Sequence, residues 1–276
     1  MRKLQWVGSA AGLTFALAAC NNDGSPTGPG ANGPVATVSL SVMVPSGGAA
    51  PSAGLFAGTP LTLTVGGHTL VIETADVVLR EIELKRVDSS VSDCSAEGPE
   101  SEDCEEFESG PVLLPLPLDG SVEQQLAVQV DTGTYGEVEF KVHKVGDDAL
   151  DMAFLQDHPG FEGISIEVTG TWDGAPFTFT SDLDVEQEID LAQPLLVTAA
   201  DGTSPTAQTN LTFSVDVATW FVDPVSGDLI DPSTALEGGA NEGLVKENIK
   251  ASIKGFEDDD HDGVPHEDDA DESHDG

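Results

Sequence analysis

The stretch Asp258-Asp-Asp260-His-Asp262-Gly263-Val264-Pro265-His-Glu-Asp-Asp269 comes nearest to a defined chemistry. Counted from Asp258, carboxylates fall at positions 1, 3, 5 and 12, a glycine at 6 and a main-chain carbonyl at 7. Calcium takes six to eight hard oxygens around a tight turn, and this spacing supplies them. Asp258, Asp260, Asp262, the Val264 carbonyl and Asp269 are the expected ligands, with calcium as the expected cofactor. Pro265 forbids an exiting helix, so an EF-hand pair is excluded. A disordered acidic tail that binds nothing is the competing reading.

Cysteines are the next reactive group. Cys20 closes the run Leu17-Ala18-Ala19-Cys20, after the basic Arg2-Lys3 and an apolar segment from Leu4 to Ala19. A short apolar run ending in small residues is a secretory signal rather than a spanning helix. With its cysteine it resembles a bacterial lipoprotein signal. That resemblance implies acylation of Cys20 as the mature N-terminus, a membrane partner through lipid, and a cell-envelope location, outer membrane in particular. Cys94 and Cys104 remain as one pair in an oxidising compartment, which favours a disulfide. Between and beside them crowd Asp93, Glu97, Glu100, Glu102, Asp103 and Glu105, a loop that the bridge would tie off. Zinc is excluded by the lack of further thiols and of a nearby histidine.

The remaining chemistry is sparse. There is no nucleophile elbow, HExxH or phosphate loop. Gly28-Pro-Gly30-Ala-Asn-Gly33 is formally a dinucleotide pattern, but no strand precedes it and no helix follows. His68 and His143 sit in strand patterns and fit structural histidines better than ligands. No catalytic residue is assigned. The chain carries 50 acidic and 10 basic residues, a formal charge of −40, so nucleic acid is excluded as a partner and divalent cations are favoured.

These residues need elements to hold them. Residues 1–19 read as the signal and 20–34 as a polar tether. From 35 to 255 the pattern is of half-buried strands at period two. Val38, Leu40, Val42 and Val44 form one row, and Leu211, Phe213, Val215 and Val217 the last strong one. Leu70 to Val87 reads as two strands whose apolar row changes phase near Leu79 to Ile82, as a bulge would make it. Pro115 and Pro117 mark Val112–Leu118 as an edge. Ile164–Trp172, Asp173-Gly174 and the row from Phe177 read as a hairpin. The outward carboxylates of 182–190 fit a solvated face better than a metal site. Asn241 is the expected cap of one C-terminal helix, Glu242 to Phe256, with Val245, Ile249, Ile253 and Phe256 on one face. The whole predicts an all-β fold, an antiparallel sandwich or two packed β units divided near 146–160, followed by an acidic tail over 256–276.

Two resemblances refine this. Asp76-Val-Val-Leu-Arg-Glu-Ile-Glu-Leu-Lys-Arg-Val87, then Val112-Leu-Leu-Pro-Leu-Pro-Leu118, then Asp131-Thr-Gly-Thr-Tyr-Gly-Glu-Val-Glu-Phe140 resemble a family of β-rich bacterial lipoproteins of unknown function. That resemblance implies an exported β-sandwich and no catalytic residue. The 258–269 loop, with Gly263-Val264-Pro265, resembles a single thrombospondin type 3 calcium repeat, with His266 where that family continues with aspartate. The function expected is a non-catalytic, lipid-anchored envelope protein that binds or supports. A carbohydrate-binding or adhesive module using Trp172 or Trp220, and an envelope hydrolase using carboxylates, are the alternatives.

Overall fold

The computed structural model describes residues 35–45, 60–87, 104–108, 110–198, 209–258, 261, 263 and 264. Two sheets face each other. The smaller is built from β1 (Val35–Met43), β6 (Val122–Asp131), β11 (Thr209–Val215) and β12 (Ile253–Glu257), in the order β12-β11-β1-β6. The larger runs β10-β7-β3-β8-β9: β10 (Val185–Val197), β7 (Gly133–Val142), β3 (His68–Arg86), β8 (Ile166–Trp172) and β9 (Ala175–Ser181). The short strands β2 (Leu61–Val65), β4 (Cys104–Glu108) and β5 (Val112–Pro115) all pair with β3. The expected all-β sandwich is what the chain forms. One pair departs from an antiparallel plan: β1 lies parallel to β11, Leu40 opposite Leu211. Parallel neighbours need a long connection, and these strands come from opposite ends of the chain.

The apolar rows meet between the sheets. Val38, Leu40 and Val42 of β1 and Leu211 and Phe213 of β11 are buried against Leu70, Ile72, Val138 and Phe140. The Phe140 and Phe213 rings lie 4.9 Å apart across the gap. Gly255 brings β12 close to Val138, Ile189 and Leu191 of the facing sheet.

The expected pair of strands over 70–87 is one strand, β3. Its N-terminal part pairs with β2 and β8, its C-terminal part with β4 and β7. The phase change is a bulge. Leu79 and Arg80 oppose Val142 and Lys141, whereas Glu83 opposes Glu139, so one extra residue is absorbed at Glu81, whose φ is 53°. The bulge returns Ile82 and Leu84 to the core after Leu79 has faced it. The hairpin between β8 and β9 turns on Asp173 (φ 49°) and Gly174 (φ 82°), both left-handed as a two-residue hairpin loop requires.

At one end the chain crosses between sheets. β6 ends at Asp131 in the smaller sheet and β7 begins at Gly133 in the larger. The Tyr135 hydroxyl donates to the Asp131 carbonyl at 2.7 Å. Arg86 donates to the Thr132 carbonyl, lies over the Tyr135 ring at 5.0 Å, and occupies the space that a Cβ at Gly133 would need.

Two helical expectations are corrected. The helix from Glu242 ends at Ala251, as α2, and Ile253–Glu257 is strand β12. Ile253 and Phe256 kept helical spacing, but β11 needed a partner for its outer edge, and strand pairing satisfied those groups. Asn241 precedes the helix without a side-chain capping bond; its amide donates to Thr234 instead. A second helix, α1 (Ala149–Asp157), was not expected. It and the following turn cover Val78 and Val145 on the outer face of the larger sheet, with Phe161 beneath. Among the described residues, no helix is long and apolar enough to cross a membrane.

The bulge gives the first testable outcome. A non-glycine residue at φ near +53° is strained, so Glu81→Gly should raise stability by about 1 kcal/mol, and β-branched Glu81→Val should lower it by about 1–2 kcal/mol. The ion pair from Glu81 to Arg80 is half-exposed and contributes little to either value. Urea denaturation of the two variants checks this; the opposite order would show that the bulge is unstrained.

Candidate functional site

Of the expected site residues, Cys20, Cys94, Asp260, Asp262 and Asp269 lie outside the described residues. Cys104 opens β4, opposite Lys85. Asp258 and Val264 are described, and the calcium reading can be followed from them.

Asp258 follows β12 directly and is fully buried. It sits on the outer face of the smaller sheet, on a platform of short polar side chains from β1 and β11. Ser39 and Ser41 both donate to Asn210 Oδ1, each at 2.8 Å. The Asn210 amide donates to Thr212 Oγ1 at 2.8 Å and to the Asp258 carbonyl at 2.9 Å. Because Thr212 Oγ1 accepts from Asn210, its own proton is directed to Asp258 Oδ2, 3.1 Å away. The Gly263 N–H donates to the same oxygen at 3.2 Å. Position 6 of the loop is therefore folded back onto the carboxylate of position 1. Gly263 has φ 76°, and a Cβ there would press on Met43 and Val122. Val264 is exposed.

This network was not legible in the sequence. Ser39, Ser41, Asn210 and Thr212 occupy the outward positions of their strands, where polar residues ordinarily meet water. They are buried, with Asp258 bonded to Asn210 and Thr212 of the platform.

A second polar cluster lies where α1 meets the larger sheet. His143 and Asp151 are both buried, and His143 Nε2 lies 2.9 and 3.0 Å from the two Asp151 oxygens. Arg80 donates to Asp148 at 2.6 Å and to Asp151 at 3.2 Å. Asp148 caps α1 by accepting from Leu150 and Asp151. The Arg80 hydrogen bond foremost, with the capping N–H of Asp151, holds the Asp148 carboxyl down at about 2. Among the described residues His143 Nδ1 has no hydrogen-bond partner; Asp184 Oδ1 is 3.8 Å away. The cluster ties α1 to β3 and β7, which suits a structural histidine.

The carboxylates of β10 oppose those of β7. Glu188 faces Glu139, and Asp190 faces Glu137. Glu186, Glu188 and Asp190 are exposed, as a solvated face requires. Beside the bulge, Glu81, Glu83, Glu139, Lys141 and Glu186 line a shallow cleft with a cavity volume of only about 10 Å³. That is far below the size of ordinary ligand pockets, and Phe140 at its base packs into the core rather than forming an aromatic wall. Among the described residues, no group of three or more His, Cys, Asp or Glu has metal-binding geometry.

The tryptophans differ. Trp220 is fully buried, its indole N–H donating to Ser252 at 2.8 Å. Trp172 is half-buried and stacks on His68 at 5.1 Å, with Asp173 held against His68 Nδ1 at 2.7 Å. Trp220 cannot serve as a sugar platform.

No family model matches the chain, and no curated protein matches it. Among solved structures, MbnP from Methylosinus trichosporium aligns over 70% of this chain and 79% of its own, with 12% identity and a TM-score of 0.32. A likeness that distant carries no inference about fold or function.

A salt-bridge hub generates a pH prediction. Asp182 accepts from Lys246 of α2 at 2.6 Å and from Lys144 at 3.0 Å. Those two bonds, Lys246 first, hold its carboxyl at about 2. A depressed carboxylate contributes stability that is complete above its unfolded value, near 4, and is lost as pH falls through about 2. The shift corresponds to about 2 kcal/mol at most, and solvent screening reduces it to about 1 kcal/mol. Asp182→Asn should therefore destabilise by about 1 kcal/mol at pH 7, with the gap to wild type narrowing between pH 4 and 2. Denaturation at pH 7, 4 and 3 measures it; a gap that widens on acidification would refute the assignment.

Proposed function

We propose that the chain is a lipid-anchored, non-catalytic protein of the cell envelope whose C-terminal acidic loop binds calcium. The carrying observation is the pairing of Asp258 with Gly263. The N–H of position 6 folded onto the carboxylate of position 1, with the glycine left-handed, is the tight turn about which a calcium loop gathers its oxygens. Thr212 supports the same orientation from the sheet. Asp260, Asp262, the Val264 carbonyl and Asp269 complete the proposed set. The lipid reading rests on Leu17-Ala-Ala-Cys20, and the proposed Cys94–Cys104 bridge on export to an oxidising compartment.

In this reading calcium acts on the edge of the smaller sheet. Asp258 is continuous with β12, and its main chain bonds to Asn210 of β11. Ordering the loop holds the last strand of the sandwich in place. The expected dissociation constant is roughly 10⁻⁴ to 10⁻³ M, the range of extracellular modules.

Two measurements test the proposal. Calorimetric titration with calcium should show binding to the full chain and a loss of roughly ten-fold or more in affinity for Asp262→Asn, without a change in melting temperature in the absence of calcium. Equal binding by the two would place the site elsewhere. Separately, detergent partitioning should move wild type into the detergent phase and Cys20→Ser into the aqueous phase. Both proteins in the aqueous phase would remove the anchor.

A further inference from the structure

Asp258 is held from two directions at once. From the sheet, its N–H donates to the Asn210 carbonyl at 3.0 Å. The Asn210 side-chain amide donates to the Asp258 carbonyl at 2.9 Å, and Thr212 Oγ1 donates to Asp258 Oδ2 at 3.1 Å. From the loop, the His261 N–H donates to the same carbonyl at 3.3 Å, and the Gly263 N–H to the same Oδ2 at 3.2 Å. Each of these two acceptors therefore takes one bond from β11 and one from the acidic loop.

Asn210 sets the sense of every bond on the sheet side. A side-chain amide can stand either way round, and its partners decide which. The Asp258 carbonyl only accepts, so the NH₂ group must face it. Oδ1 then faces Ser39 and Ser41 of β1, which donate to it, each at 2.8 Å. The second amide proton goes to Thr212 Oγ1, at 2.8 Å, which leaves the threonine proton for the carboxylate. Donors thus run in one direction, from β1 through Asn210 and Thr212 to Asp258. All four platform residues are buried. Apolar groups of the same shape would hold a buried face about as well, and a polar group left unpaired there costs heavily. What apolar side chains cannot do is fix the direction of a carboxylate.

We infer that Asn210 is a positioning residue for the acidic loop, and that through it cation binding at Asp258 is coupled to the pairing of β1 with β11. The inference rests on the calcium reading above. Asn210 is not a proposed ligand. It holds the main chain of the first ligand directly and the carboxylate through Thr212, so the loop closes on a carboxylate that is already aimed. Outer hydrogen-bond partners of metal-bound groups set affinity by roughly 10–100-fold. Such coupling is reciprocal. If the platform raises calcium affinity, calcium raises the platform's resistance to opening by the same factor. The platform spans two strands, with Ser39 beside Asn210 and Ser41 beside Thr212 in the parallel ladder. Occupancy of a loop that follows β12 is thereby felt on β1.

The test is calorimetric calcium titration of the full chain, joined to hydrogen exchange over residues 38–43 and 209–213 with and without calcium. Thr212→Val keeps the shape of the side chain and removes the proton that the carboxylate accepts; it should weaken calcium binding by roughly ten-fold. Thr212→Ser returns a hydroxyl and should recover most of that loss. Asn210→Ala should weaken binding at least as much as Thr212→Val. Ser165→Ala removes a buried bond of the larger sheet, to the Ser181 carbonyl at 3.1 Å, and controls for lost stability alone. It should lower the melting temperature and leave calcium affinity unchanged. In wild type, calcium should slow exchange in both segments by roughly ten-fold, and in Thr212→Val by much less. Equal affinity in wild type and Thr212→Val, or a loss that serine does not recover, overturns the inference and leaves the loop as the site. Slowed exchange in β12 with none in β1 confines calcium to the edge strand and removes the coupling. A wild type that binds no calcium removes the reading of the loop, and this inference with it. If Asn210→Ala is unfolded, the valine and serine variants of Thr212 carry the comparison.

Discussion

Arg86 holds the two sheets of this sandwich in a fixed relation. Its guanidinium donates to the Thr132 carbonyl, lies over Tyr135 and fills the space left by Gly133. Tyr135 in turn reaches back to the Asp131 carbonyl. The corner is the point at which the chain leaves the smaller sheet for the larger, between β6 and β7. Because β7 pairs with β3 on one side and β10 on the other, the register of the larger sheet follows from where that corner places Tyr135. A planar, always-charged group suits the task, since it can stack and donate at once; lysine would do only the second.

From that corner outward, β3 organises the rest. It receives five other strands along its length, and the Glu81 bulge lets one strand serve two environments. Before the bulge, Thr69, Val71 and Thr74 of its outward row run beside β2 and β8, and Asp76, Val78 and Arg80 follow. After it, Lys85 pairs with Glu137 and Glu139 of β7. The bulge also sets Arg80 against Asp148 and Asp151, which places α1 over the sheet.

Much of this was written plainly in the chain. Period-two rows such as Val38–Val44 and Leu211–Val217 gave strands that the fold contains, and the phase change at Leu79–Ile82 marked the bulge. Asp173-Gly174 marked a hairpin turn. Other parts were hidden for identifiable reasons. α1 is short and its residues Ala149–Asp157 show no clean apolar stripe, so periodicity had nothing to detect. Ile253 and Phe256 keep helical spacing and fall on opposite faces of a strand, so the pattern pointed to a helix, and the open edge of β11 decided for β12. The Asn210 network is long-range: Ser39 and Ser41 meet an asparagine about 170 positions away, beneath an aspartate from the tail. Sequence spacing carries no trace of such a meeting.

The parallel pairing of β1 with β11 has a mechanical consequence. The chain enters the body at Val35, and β1 runs from there between two neighbours, β6 and β11, bonded to both. A pull at that entrance acts along the strand axis, at right angles to most of the bonds to β6, so both ladders resist together in shear instead of opening one bond at a time. β1 also carries Val38, Leu40 and Val42 in the core, which must move with it. A body loaded this way yields as one unit and at higher force than one held by a peripheral hairpin. β1 is the grip through which tension applied at Val35 reaches both ladders and the core between the sheets.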